Sequence, residues 1–96
     1  MREYHLNGAE MTDKNTTHEY LQRVLDLPNY YGGNLDALWD CLVSDFSEKT
    51  ILIGNLPAML KNLGDYADTL LQLLMEAAAE NDNIQIIMED DPAWEE

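Results

Sequence analysis

Residues Thr50 to Ile53 form an uncharged, β-branched apolar run, the pattern of a short strand buried on both faces. Ile84 to Met88 reads as a second strand of the same kind. The stretch between them carries helical spacing, so the two strands cannot form a hairpin. They need a crossover, which makes them parallel neighbours. Near the N-terminus, Tyr4 and Leu6 alternate with Glu3 and His5, and Asn7-Gly8 ends a third strand.

The segments between the strands read as helices. Thr16-x-x-Glu19 has the form of a capping box. Tyr20, Leu21, Val24 and Leu25 follow at helical spacing, with Pro28 as the stop. Asn29 to Gly33 is a loop, and Asn34 is placed to cap a second helix. Leu35, Leu38, Trp39, Leu42 and Phe46 form the apolar stripe of that helix. Pro57 to Leu63 reads as a short helix with Pro57 near its first position. A longer one runs from Asp65 to Asn81, burying Ala67, Leu70, Leu71, Leu74 and Ala78. The expected architecture is α/β: a three-stranded parallel sheet packed with about four helices. Residues 1–89 form one domain, followed by an acidic tail over residues 90–96 that contains Pro92 and Trp94.

Charge narrows the function. The chain of 96 residues has 19 acidic and 5 basic side chains, a formal charge of −14. That field repels phosphate backbones and anionic lipid, so direct nucleic-acid or membrane binding is not expected. It favours encounter with a basic protein, or simply maintains solubility. No apolar run reaches the ~20 residues of a membrane span. No signal-peptide core precedes the first strand, which leads to the expectation of a cytoplasmic protein.

The second helix concentrates the candidate chemistry. Asp36 and Asp40 stand one turn apart beside the apolar stripe, with no Lys or Arg at helical contact distance. Like charges so spaced repel each other by a few tenths of a kcal/mol. Such a face is either simply solvated or relieved by an external cation. Tyr30 and Tyr31 precede it and are either core or interface anchors. Trp39, at the edge of the stripe, reads as core, with half core and half contact surface as the alternative. Cys41, the single cysteine, reads as a structural thiol with no basic neighbour to activate it. His5 and His18 stand alone, without metal-ligand spacing. No phosphate loop or nucleophile elbow is present. Asp36, Asp40 and Glu76 as magnesium ligands or an acid–base pair form the weakest reading. No catalytic residue, metal or cofactor is therefore expected.

The stretch Leu27-Pro28-Asn29-Tyr30-Tyr31-Gly32-Gly33-Asn34-Leu35-Asp36-Ala37-Leu38-Trp39-Asp40 resembles the signature of the barstar family, intracellular inhibitors of barnase-type ribonucleases. It departs from that signature at Asn29 and Gly33. Weaker similarity extends through Leu74 to Glu80 and Ile84 to Ile87. The resemblance implies 1:1 binding to a basic extracellular-type ribonuclease or related toxin, without catalysis. The second helix and its preceding loop would plug the enzyme's cleft. Asp40 would be the anchor in the place of a substrate phosphate, with Asp36 as a second acidic contact. Tyr30, Trp39 and Asn34 would flank them, Tyr31 and Gly32 belong to the same loop, and Glu76 would add a peripheral charge. Val43, Ser44 and Asp45 replace the family's usual rim residues, which leaves the target's identity open. The alternative is an acidic adaptor on the same fold, or an immunity protein for a different toxin.

Overall fold

The computed structural model describes residues 2–28, 31–45 and 47–88. The strands are β1 (Arg2–Asn7), β2 (Lys49–Gly54) and β3 (Ile84–Met88). The helices are α1 (Lys14–Val24), α2 (Leu35–Val43), α3 (Leu56–Leu63) and α4 (Asp65–Glu80). A 3-10 turn over Gly8–Glu10 follows β1. Phe46, expected on the stripe of the second helix, and the acidic tail over residues 90–96 lie outside the described residues.

The sheet is parallel throughout, with strand order β1-β2-β3. Leu6 pairs with Ile53, and Ile51 with Ile86. The expectation of strands buried on both faces holds only in part. Ile51, Ile53 and Ile84 are buried, whereas Gln85 is exposed and Leu52 and Ile87 only half-buried; β1 alternates as expected, with Leu6 buried and Glu3 and His5 exposed. The reason is topological. In a parallel sheet of order β1-β2-β3, the right-handed preference of such crossovers puts both connections on one face. β2 is shielded chiefly by its neighbours on both edges, and the domain has two layers.

Local signals explain the helix ends, with one correction. α1 does not start at the expected capping box. Its N-cap is Asp13, whose side chain accepts a hydrogen bond from Thr16 N at 2.8 Å. Asp13 stands three residues earlier and caps the donor that Thr16 itself presents, so the helix gains its first residues ahead of Thr16. The helix also ends before Pro28 can act. Asp26 takes a left-handed conformation (φ 56°), and Leu27 N donates back to Gln22 O at 3.0 Å. That is the closing bond of a Schellman turn, with Asp where glycine is usual. α3 carries Pro57 in its first turn as expected.

Leu21, Leu38, Leu42, Ile51, Ile53, Met59, Leu70 and Leu74 form the fully buried centre. Gly8 marks its tightest point. A Cβ there would lie 2.3 Å from the backbone oxygen of Asn55 and 2.8 Å from Met59 Cβ. The expected result for Gly8→Ala is therefore a loss of about 1–3 kcal/mol, because backbone rather than a flexible side chain must move. Urea denaturation of the two proteins measures it. An unchanged midpoint would show that β1 and α3 can separate freely.

Candidate protein-binding site

α2 is fixed from one side and open on the other. Its N-cap Asn34 accepts from Ala37 N at 2.8 Å. Leu38 and Leu42 are buried at 0% and 1% exposure, anchoring the helix to the core and to α4. Asp36 and Asp40 consequently point outwards and are exposed. Among the described residues neither carboxylate has an ion-pair partner. Ser44 lies one turn beyond Asp40, and its Oγ donates to the Asp40 backbone oxygen at 2.5 Å.

Two clefts flank this helix. Leu35, Asp36 and Trp39 of α2 face Thr69, Gln72, Leu73 and Glu76 of α4 across a groove of about 270 Å³. The tertiary structure thus brings Asp36, Trp39 and Glu76 together, with Gln72 Nε2 donating to Glu76 Oε2 at 3.1 Å. Trp39 is half-buried, packing on the core while also lining the groove. Two carboxylates beside an indole suit a cation with an apolar stem. The second cleft, about 360 Å³, has Leu25, Leu27 and Pro28 on one wall and Asp40, Cys41, Ser44 and Asp45 on the other. Burial first, and then Asp40 and Asp45, push the Cys41 thiol up from its ordinary range. It stays protonated, as expected of a structural thiol.

The loop residues separate. Tyr31 is buried, and its hydroxyl reaches His18 Nδ1. It is a core side chain that supports the loop from beneath. Gly32, Gly33 and Asn34 are exposed, Gly33 with a left-handed φ of 71°. Val43 is half-buried against the core. Tyr30 lies outside the described residues.

Sequence spacing did not reveal three supports. His18 is one. Asn81 is the second: buried, it donates to Leu42 O at 2.9 Å and Asp45 O at 2.6 Å, tying the end of α2 to the C-cap of α4. The third is Asp45, which pairs with the buried Lys49. Burial alone would raise the Asp45 carboxyl, but hydrogen bonds from Lys49 and Ser47 outweigh it and lower it to about 2. The unfolded value is near 3.8, so this pair stabilises the fold above that pH and its contribution disappears as pH falls towards 2. Asp45→Asn should therefore be less stable than the parent at neutral pH, with the gap closing between pH 3.8 and about 2. Chemical denaturation across that range reads it, and a pH-independent gap would remove the charge from the explanation.

Among the described residues, no three His, Cys, Asp or Glu side chains gather as for a metal ion, and no helix is long and apolar enough to cross a membrane. Fold and site define a small two-layer α/β domain whose core-anchored helix presents an acidic face. The family model described as "Barstar (barnase inhibitor)" matches residues 1–90. The chain is also 38% identical over 91 residues to a Bacillus subtilis (strain 168) protein named "Putative ribonuclease inhibitor YrdF", covering 93% of this chain and 100% of that one. The chain belongs to the barstar family.

Proposed function

We propose that this protein is a cytoplasmic 1:1 inhibitor of a basic, barnase-type ribonuclease and has no catalytic activity of its own. The observation that carries the reading is the outward pair Asp36 and Asp40, held on a helix whose opposite face is locked in the core and left without a cation among the described residues. A ribonuclease cleft must hold phosphates and so presents Arg, Lys and His. Pre-positioned carboxylates pair with such groups through charge-assisted hydrogen bonds. The helix is already ordered, so little entropy is lost on binding. Asp40 is the anchor and Asp36 a second contact. Trp39 and Glu76 complete a cation groove at the α4 side, and Tyr30, Gly32, Asn34, Val43 and Ser44 border the contact. Family membership and the name of the Bacillus subtilis relative support the same target class.

The rim supports a second reading, in which the fold serves as an acidic adaptor or as an immunity protein for a non-barnase toxin. Asp45 spends its carboxylate on Lys49 and Ser47 of its own chain. A family-like anchor would then be combined with a different rim.

The test is an inhibition titration against a barnase-type ribonuclease, with the parent and Asp40→Ala side by side. The parent should give a sharp 1:1 endpoint. The substitution should cost roughly 2–5 kcal/mol of binding, the range for truncating one partner of a desolvated charge pair. Folding stability should change by no more than about 0.5 kcal/mol, because the side chain is exposed and unpaired. Equal, large losses of binding and stability would make Asp40 structural. Absence of inhibition by folded parent protein would favour the second reading. Glu76→Ala should act mainly on the association rate, an effect that disappears at high salt.

A further inference from the structure

Residues from other elements support α2 at both ends. At its start, Tyr31 of the preceding loop meets the His18 ring, whose Nε2 lies 2.5 Å from the Tyr66 hydroxyl on α4. At its finish the support is Asn81, the C-cap of α4, which is 6% exposed. The Asn81 N–H donates to Ala77 O at 2.9 Å, and its backbone oxygen accepts from Ile84 N at 3.0 Å. Its Oδ1 accepts from Asn83 N at 3.0 Å. Nδ2 is thereby aimed at α2, where it donates to Leu42 O at 2.9 Å and to Asp45 O at 2.6 Å. A carboxamide nitrogen carries two N–H groups, and both are used.

The finish of α2 needs donors of this kind. The last carbonyls of a helix have no partner within it, and that end carries partial negative charge. Here it also carries carboxylates, Asp40 in the last turn and Asp45 just beyond it. The last turn holds no basic residue, and the C-cap is Ser44 in a right-handed conformation rather than a left-handed glycine. Lys49 pairs with Asp45. A helix of nine residues is also too short to keep its end ordered by itself.

We propose that Asn81 is a positioning residue for the anchor end of α2: by holding Leu42 O and Asp45 O it fixes the turn that presents Asp40 and Ser44 to the partner. The inference rests on the ribonuclease-inhibitor reading of that face. The neutrality of the side chain is part of the role. A lysine or arginine here would hold the same carbonyls, yet its charge would pair with Asp40 or Asp45 and offset the negative field that draws in a basic enzyme. A carboxamide fixes the turn and leaves the Asp40 charge for a cation of the partner. The same turn supplies Asp40, Cys41, Ser44 and Asp45 to the cleft opposite Leu25, Leu27 and Pro28, so Asn81 also sets the shape of that wall.

Two measurements test the proposal. Asn81 has an extended backbone (φ −124°, ψ 104°), which any residue adopts, so substitutions there change only the side-chain bonds. The first measurement is a double-mutant cycle in binding to a barnase-type ribonuclease, with the parent, Asn81→Ala, Asp40→Ala and the double variant. Asn81→Ala should weaken the parent about tenfold, chiefly through faster dissociation. Once Asp40 is already alanine, it should cost no more than about threefold. In the matching cycle with Asp36→Ala, at the start of the helix, the two losses should simply multiply. A purely structural role would multiply in both cycles. Equal losses with and without Asp40, or a folded Asn81→Ala that binds like the parent, overturn the proposal.

The second measurement is hydrogen exchange in the free proteins, which needs no target. In the parent, both Nδ2 protons of Asn81 should exchange slowly. Aspartate matches asparagine in shape but turns an oxygen towards Leu42 O and Asp45 O. In Asn81→Asp the amides of Ser44 and Asp45 should therefore exchange at least about tenfold faster, while those of Ala37 and Leu38 hardly change. Fast exchange of the Asn81 side chain in the parent overturns the proposal without any variant having to fold. Equal acceleration at both ends of α2 overturns it as well. Loosening confined to the last turn, with no ribonuclease inhibited by the parent, leaves the positioning role standing and removes the inhibitor reading.

Discussion

Pairing the backbone of β2 on both edges is the constraint on which the remaining structure depends. Lys49 to Gly54 is almost wholly buried, and its N–H and C=O groups have no water to turn to, so β1 and β3 must supply partners along its length. Both neighbours run parallel to it. Parallel neighbours cannot be joined by tight turns, so the chain spends α1 and α2 on one crossover and α3 and α4 on the other. With this strand order, the right-handed preference of such crossovers puts both on the same side of the sheet. The core is then the single interface between that helical layer and the sheet face bearing Leu6, Ile51, Ile53 and Ile84.

This constraint also makes the acidic face. α2 joins the helical layer by burying Leu38 and Leu42 and by packing along α4. A helix held on that stripe must turn Asp36 and Asp40 away from the core. The repulsion between them, a few tenths of a kcal/mol, is small beside the burial of two leucines at about 1.5–3 kcal/mol each. The fold can therefore carry a pair of carboxylates with no ion-pair partner among the described residues, available to a cation presented from outside. The same packing sets Glu76 across the groove from Trp39, so a helix distant in sequence widens the face that α2 begins.

Much of this was legible in the residues because it is governed by local rules. β2 and β3 announced themselves by apolar β-branched runs, β1 by its alternation, α2 by its stripe and Asn34 cap, and α3 by Pro57. The first helix was legible but misread. Asp13 and Thr16 are both capping residue types, and Asp13 came first in the chain and captured the Thr16 amide. Its end was set by a left-handed Asp26, a conformation that non-glycine residues seldom reveal in sequence. Family resemblance, rather than spacing, pointed to the residues proposed for the site around Asp36 and Asp40.

The sequence by itself determined the secondary elements, their parallel pairing, the excess of negative charge and the exposed acidic spacing on the second helix. Each follows from periods of two or 3.6 residues or from composition. Only the tertiary structure decided that Tyr31 turns inward, that His18 links it to Tyr66, that Asn81 ties the end of α2, and that Asp45 belongs to Lys49. It also decided that Glu3, His5 and Gln85 stay exposed on the sheet face away from Leu6 and Ile51. These contacts join residues separated by loops or by whole elements, and no local pattern encodes them. They arise when the crossovers bring α1, α2 and α4 into one layer, where each buried polar group must find its partner across space rather than along the chain.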